Sequence, residues 1–502
     1  MKTSTATLAA AVCAFAGLTA AQKVVPVGIK RSSLNQQAAA PRARSKRNTY
    51  TQSLSNNITG AGYYADITVG TPPQNVSLVL DTGSSDLWLL SSEADLCEDK
   101  YDQRIYGYCL PTYEPDDSST YKLVDSDGFD ISYVDGTGAE GDYIKDDISV
   151  GGAVIEQLQM GLATESTIPV GIMGVGFAAN EAVYPSDRYP NVMDVFVSQG
   201  LIDSRAYSLY LNDYGSSTGS ILFGGIDTEK FIGTLTSVDL VKEEGYDEIT
   251  SFTVPLVSLS LSIDGAQDDS VSLSEAVPVI LDSGTTLTYL PSSTVEDVYS
   301  VVGAKYVDQY GLGYIDCKYM TSDLELTFQF GASDGPAVVV PADELVFDTV
   351  QTLVDAGYTT PRHLGFDSDD ACLFGLLPSD DYYLLGDTFL RSAYVVYDLD
   401  NYRVALAQAN LNSTESNVVE ITNGSTSLPD VTGVASQVQV TQTATGLPGV
   451  GGLPTVTVTG TASSTGTGNA GVRSVPAPDW MAAVVASLTG LGVLAGGMIF
   501  VL

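Results

Sequence analysis

The chain has 502 residues, 44% hydrophobic and 17% charged, which suits a globular protein of two domains or one large bilobal one. Its 22 basic residues against 61 acidic ones leave a formal charge of −39, which argues against nucleic acid as a partner. A single histidine, His363, excludes multi-histidine zinc sites, and no Gly-x-Ser-x-Gly elbow accompanies it for serine chemistry.

Taken in chain order, the first segment is a leader. Lys2 precedes an apolar run through Leu8–Leu18 and the small residues Thr19-Ala20-Ala21, the pattern of a secretory signal over 1–21. The apolar run is too short to span a membrane. Residues 1–47 hold eight basic residues and no acidic ones, so the remainder carries 14 basic against 61 acidic, or −47. A surface that acidic repels itself at neutral pH and is relieved as carboxylates protonate, which reads either as plain solubility or, more sharply, as a protein that works in acid. Residues 22–47 end in the dibasic pair Lys46-Arg47 and read as a propeptide that covers an acidic cleft, with Lys30 or Arg31 pairing with the carboxylates there. In a secreted chain, with Cys13 in the leader, Cys97, Cys109, Cys317 and Cys372 suggest two disulfides. Three pairings are possible; the local one, Cys97–Cys109 and Cys317–Cys372, keeps one bridge in each half.

Residues 48–235 are dense in short β-type runs separated by Gly, Asp, Asn and Ser: Tyr64–Val69, Val76–Leu80, Phe129–Tyr133, Tyr207–Leu211 and Ser220–Phe223. Residues 236–409 resume the pattern with Val277–Leu281, Leu324–Phe330 and Tyr394–Tyr397. Predicted helices are few and short, Met193–Gln199 and Ser293–Val302, and His363 falls in a loop without a catalytic role. The fold class is all-β, in two lobes.

The two halves share a motif. Leu78-Val79-Leu80-Asp81-Thr82-Gly83-Ser84-Ser85 is echoed by Val279-Ile280-Leu281-Asp282-Ser283-Gly284-Thr285-Thr286, each with an aromatic (Trp88, Tyr289) seven positions after its Asp. In both, a strand-like run ends in a carboxylate, a hydroxyl and a glycine. The glycine permits a tight turn, and the flanking hydroxyls can hold the carboxylate by hydrogen bonds. A second echo follows each motif: Gly171-Ile172-Met173-Gly174, then Tyr383-Leu384-Leu385-Gly386-Asp387, an apolar pair closed by glycine where one backbone passes close to another.

After Ala409 the composition changes. Residues 410–469 are rich in Ser, Thr, Gly and Val, cannot build a core, and read as an O-glycosylated stalk. N-glycosylation sequons stand at Asn57, Asn75, Asn412 and Asn423. Residues 470–502 end in an uncharged apolar tail from Trp480; with the small residues around Asn469 they form a GPI-attachment signal removed on maturation, with Asn469 as the attachment site. The tail is also long enough for a transmembrane helix, but no Lys or Arg follows it to sit in the cytoplasm.

If the two halves face each other about a pseudo-twofold axis, Asp81 and Asp282 meet at the seam. Two carboxylates that close cannot both ionise cheaply, so the pair holds one proton over an acidic range. One Asp then acts as base on a water while the other donates to a carbonyl under attack, with no metal, cofactor or covalent intermediate.

These features resemble the pepsin-type aspartic endopeptidases. The match covers roughly residues 60–409 and rests on VLDTGSSDLW (79–88), ISYVDGTG (131–138), GIMGVGF (171–177), YSLYLN (207–212), GSILFGG (219–225), VILDSGTTLTYLP (279–291) and LLGDTFLRSAYVVYD (384–398). Basic propeptide, stalk and GPI signal resemble the fungal, yapsin-like, surface-anchored branch. The resemblance implies a bilobal pepsin-like fold and a monomer acting on polypeptides at acidic pH, held at the plasma membrane or cell wall. It implies Asp81 and Asp282 as the catalytic dyad, Ser84 and Thr285 bonding the outer oxygens, and Thr82 and Ser283 tying the two loops together beside Gly83 and Gly284. Tyr133 is the expected flap tyrosine, its hydroxyl reaching the Trp88 indole. The flap departs from the family in placing Val134 where glycine is common, followed by Asp135. Acidic residues near the cleft, such as Glu98, Asp99 and Asp102, would favour Lys or Arg beside the scissile bond. The rival readings are a catalytically silent pepsin-fold binding protein and a cell-wall structural glycoprotein.

Overall fold

The computed structural model describes residues 23–31, 62–100, 103, 109, 111–216, 218–242, 247–268, 270–308, 310–348, 364–366, 370–422, 428–429, 431–434, 438 and 440. The leader, residues 32–47, His363, Asn57, Asn423, Asn469 and the apolar tail lie outside the described residues.

Alternation sets the strands. Glu325–Phe330 buries Leu326, Phe328 and Phe330 and turns Glu325, Thr327 and Gln329 outward, the period of two that a half-covered sheet requires. The predicted strands all form, several extended by a few residues: Tyr63–Val69, Gln74–Asp81, Lys122–Ser132, Ala206–Tyr210, Thr218–Phe223, Val277–Leu281 and Ala393–Asp398. Both predicted helices form, as Val192–Ser198 and Ser292–Val302. Asn191 caps the first by accepting from the Met193 and Asp194 N–H groups, and Gly303, at φ 68°, ends the second in the left-handed region that suits glycine.

The architecture is all-β and bilobal. In the first lobe, Gly138–Val150 pairs with Lys122–Ser132, Ala153–Ser166 and Tyr63–Val69, curling the sheet over its core. The second lobe holds a separate sheet in the order Ala337–Pro341, Glu325–Phe330, Thr253–Ile263, Val277–Leu281, Leu384–Leu385, Thr288–Pro291, Leu376–Ser379. A shared sheet joins them: Ala393–Asp398 from the second half pairs with Ala206–Tyr210 from the first, and with Arg403–Ala409 beyond it. Tyr207, Phe252 and Tyr397 pack there with ring centroids 4.6–6.2 Å apart. Both local disulfides are present, with Cα–Cα separations of 5.6 Å for Cys97–Cys109 and 5.0 Å for Cys317–Cys372.

Two segments differ from expectation. Val25–Arg31, within the stretch read as a cleft-covering propeptide, is a strand of the shared sheet, lying between Thr218–Phe223 and Tyr63–Ala65. Val25, Val27 and Ile29 are buried, and such side chains contribute about 1.5–3 kcal/mol each. Lys30 pairs with Asp66, and Arg31 donates to the Tyr214 carbonyl with its guanidinium 3.8 Å from that ring's centroid. Neither contact is the dyad pairing expected of these residues. The boundary at 409 also falls short. Val418–Glu420 pairs with Gly225–Asp227, Val431–Val434 pairs with Phe231–Asp239, and Ile421 and Leu428 are buried. Residues 410–422, 428–429 and 431–434 therefore form a strap on the body of the protein rather than the start of a free stalk. Asn75 and Asn412 are both exposed.

Candidate active site

Strand Gln74–Asp81 ends in Asp81, and Val277–Leu281 delivers Asp282 one residue past its end. Each is braced by a short parallel strand, and these braces are the second echo in the sequence. Ile172–Gly174 pairs with Val79–Asp81, and Leu384–Leu385 pairs with Ile280–Leu281. The closing glycines are steric necessities: a Cβ on Gly174 would stand 2.7 Å from the Asp86 carbonyl oxygen, and one on Gly386 would stand 2.3 Å from that of Thr285.

The twofold repeat extends to single hydrogen bonds. The Gly83 N–H donates to Asp81 Oδ1 at 2.7 Å, and the Gly284 N–H to Asp282 Oδ1 at 2.8 Å. Ser84 Oγ donates to Asp81 Oδ2, as Thr285 Oγ1 does to Asp282 Oδ2 at 2.6 Å. Thr82 and Ser283 cross the seam. The Thr82 hydroxyl donates to the Leu281 carbonyl at 2.9 Å and accepts from the Ser283 N–H at 2.9 Å. The Ser283 hydroxyl donates to the Leu80 carbonyl at 2.8 Å and accepts from the Thr82 N–H at 3.2 Å. Four bonds thus fix the two loops against each other, and the two carboxyl groups lie near enough to perturb each other's ionisation.

Both carboxyl groups are fully buried, and burial raises both above the ordinary aspartate range. Asp282 rises further because the charge on Asp81 opposes its ionisation, whereas the bonds that Asp81 accepts from Ser84, Asp282 and Gly83 favour its charged form. Two neighbouring buried carboxyl groups cannot both ionise cheaply, so they titrate as a pair, with Asp282 the more strongly raised.

Lys122–Ser132 and Gly138–Val150 form a hairpin whose tip is Tyr133–Thr137, and Tyr133 lies near enough to Asp81 to feel its charge. The Tyr133 N–H donates to the Thr137 carbonyl, and Gly136, at φ 82°, makes the turn. The buried Trp88 indole N–H donates to the Tyr133 hydroxyl at 2.8 Å, so the expected pair is made. Val134 packs against the apolar cluster of Ile280, Leu287 and Tyr289 in the second lobe, so the tip reaches across the cleft. Asp135 remains exposed, but the crowding around it pushes its carboxyl up to about 6, and Tyr289 and Tyr382 of the opposite lobe feel its charge. Glu98 and Asp99 are also exposed, while Asp102 lies outside the described residues.

Several buried charges escaped the sequence reading. Asp86, inside the first motif, accepts from Tyr189 Oη at 2.6 Å and the Ala182 N–H at 2.8 Å. Nearby Glu181 is buried with Oε1 unpartnered, and burial pushes its carboxyl up to about 9. In the second lobe the buried Arg391 pairs with Glu344, beside Asp387, whose carboxyl burial raises to about 8. The position of Asp86 directly after the first copy of the motif, where the second copy has Leu287, was a usable signal; Glu181 and Glu344 carry none.

Two buried carboxyl groups held by matching loops from both lobes fit an aspartic-type endopeptidase, and the chain belongs to the eukaryotic aspartyl protease family, whose model matches residues 62–409. Among curated relatives, "Probable aspartic-type endopeptidase opsB" of Aspergillus fumigatus is 43% identical over 423 residues, covering 83% of this chain and 82% of the relative. "Probable aspartic-type endopeptidase OPSB" of Arthroderma benhamiae is 39% identical over 477 residues, covering 93% and 90%. "Barrierpepsin" of Saccharomyces cerevisiae is 35% identical over 380 residues, covering 70% of this chain and 61% of its own length.

Proposed function

We propose that the chain is a secreted, surface-anchored member of this family that hydrolyses peptide bonds at acidic pH through Asp81 and Asp282. The observation that carries the reading is a pair of buried, mutually perturbing carboxyl groups held by equivalent bonds from both lobes. Asp81 takes a proton from a water bound between the pair while the hydroxide adds to the peptide carbonyl carbon. Asp282 gives its proton to the carbonyl oxygen, so the adduct is neutral. On collapse, Asp81 passes its proton to the amide nitrogen, the C–N bond breaks, and an adduct hydroxyl returns a proton to Asp282. Acid and amine leave, and the dyad is restored. Tyr133, fixed by Trp88, closes over the chain being cut.

Asp135 supports a preference for basic side chains at the cleavage site, because it is an acidic group at the tip of the hairpin that closes over the cleft. The leader, the cut at Lys46-Arg47 and the GPI signal with Asn469 complete the proposal: a zymogen, processed in the secretory pathway and tethered outside the cell by a lipid. Phospholipase C release from membranes tests the tether.

The chemistry is tested by peptidase assay at about pH 4 with the Asp81→Asn variant. Wild-type cleavage that pepstatin blocks, with loss of at least about a thousandfold in kcat for the variant, is the expected result. A folded, processed wild type without activity sinks the proposal and leaves the binding-protein reading.

A further inference from the structure

The second lobe sets a pair of tyrosines against the hairpin tip. Tyr289, on Thr288–Pro291, pairs with Leu384, and Leu384–Leu385 is the brace that also pairs with Ile280–Leu281 on the way to Asp282. Tyr382 stands two residues before that brace, and the two rings meet edge to face at 5.5 Å and 60°. One short strand therefore registers both tyrosines to the dyad. From the first lobe Val134 packs into their cluster, and both tyrosines feel the charge of its neighbour Asp135. On the other side of Val134, Tyr133 feels the charge of Asp81. The pair thus lies between the hairpin tip and the dyad, within reach of a side chain close to the scissile bond.

The protein spends its own cations on other rings. Arg31 and Arg391 lie over Tyr214, and Lys230 lies over Tyr210. Lys305 donates to the Leu364 carbonyl and stands 5.4 Å from the Phe366 ring, at the edge of the same cluster. Among the described residues no lysine or arginine stands over Tyr289 or Tyr382.

Asp135 alone does not make this a basic pocket in acid. Its carboxyl titrates at about 6, so it is mostly neutral at about pH 4.5, whereas an aromatic face attracts a cation without ionising. Burial holds both tyrosine hydroxyls above their ordinary range, so the rings stay neutral throughout. Asp381, next to Tyr382, is exposed, and salt screens its attraction.

We infer that Tyr289 and Tyr382 bind the cationic side chain of a lysine or arginine substrate by their ring faces, with Asp135 closing the pocket from the hairpin tip. The inference deepens the proposed preference for basic side chains and rests on it. Arginine gains more than lysine, because a flat guanidinium stacks on a ring as well as carrying charge.

The test measures kcat/KM of the secreted enzyme at about pH 4.5 for peptides with arginine, or its uncharged isostere citrulline, at each position flanking the cut. The wild type should favour arginine at one position by about tenfold. Tyr382 is half-buried and tolerates change best. Tyr382→Leu should cut the ratio about fivefold, while Tyr382→Phe, which keeps the ring, should change it less than about twofold. A ratio does not depend on how much of a variant folds, and Tyr289→Leu against Tyr289→Phe repeats the comparison at the second ring. Equal ratios in the leucine and phenylalanine variants overturn the aromatic pocket, while an arginine preference in the wild type leaves the broader reading standing. A wild type that favours arginine at about pH 7 but not at about pH 4.5 overturns it in favour of Asp135 alone. Equal cutting of both peptides at either pH ends both readings.

Discussion

At the residue scale, the site was legible because its chemistry is written in short, repeated words. Asp-Thr-Gly-Ser and Asp-Ser-Gly-Thr each place a carboxylate, a backbone N–H and a hydroxyl within four residues, so one motif specifies most of the bonds to its own Asp. Buried charges paired across long separations were not legible. Arg391 and Glu344 stand 47 residues apart, and nothing local to either announces the other. Asp135 lies between these cases: visible as a departure in the flap, without its neighbours. Because its carboxyl titrates at about 6, it is mostly neutral at lower pH and charged above that value. The ratio of kcat/KM for a lysine substrate over its norleucine counterpart should therefore rise as pH goes from about 5 to 7, even while total activity falls. Asp135→Asn should flatten that rise and lower the ratio at the upper end about five- to tenfold. A ratio that climbs equally in the variant removes Asp135 from specificity.

At the element scale, strands with clean alternation were found and the two added segments were not, for physical reasons. Val25, Val27 and Ile29 alternate as a strand should, but the positive charge around them equally suits a segment lying over an acidic cleft. Residues beyond 409 were judged by composition, and a Ser/Thr-rich stretch with few aromatics does not look like core. Yet two side chains, Ile421 and Leu428, suffice to pin the strap. Polar bonds do the rest: Asp227 accepts from Ser416 Oγ at 2.7 Å and the Asn417 N–H at 2.8 Å, while Lys230 Nζ donates to the Ser413 and Glu415 carbonyls at 2.7 and 2.9 Å. The strap thus contributes to the peptidase domain rather than hanging from it. Truncation after Ala409 should lower unfolding free energy by about 3–6 kcal/mol, from the two lost aliphatics alone. Denaturant titration checks this, against a truncation after residue 440, which should be close to neutral. Equal stability of the two truncations contradicts a structural role for the strap.

At the scale of the whole molecule, the acidic composition and the buried carboxyl groups point the same way. Glu181 in the first lobe and Asp387 in the second have carboxyl groups raised to about 9 and about 8 by burial, each with one oxygen lacking a partner. In the unfolded chain both would ionise near pH 4. Below that value folded and unfolded states are equally protonated and these groups impose no penalty. Above it the unfolded chain releases protons that the folded chain keeps, so stability falls with rising pH until the folded carboxyls themselves ionise. The slope is about 1.4 kcal/mol per pH unit for each group, and repulsion within a molecule of such net negative charge adds to it. The fold should therefore be most stable in acid and lose stability between about pH 5 and 8, in both lobes. Glu181→Gln keeps an oxygen for the Tyr189 N–H and removes the titration. It should reduce the stability lost between pH 5 and 7 by about 2–3 kcal/mol, measured by denaturant unfolding at each pH. If the variant tracks the wild type across that range, Glu181 is not held protonated, and the alkaline weakness must come from surface repulsion instead. High salt separates the two causes, since it screens charges on the surface and leaves a buried carboxyl untouched.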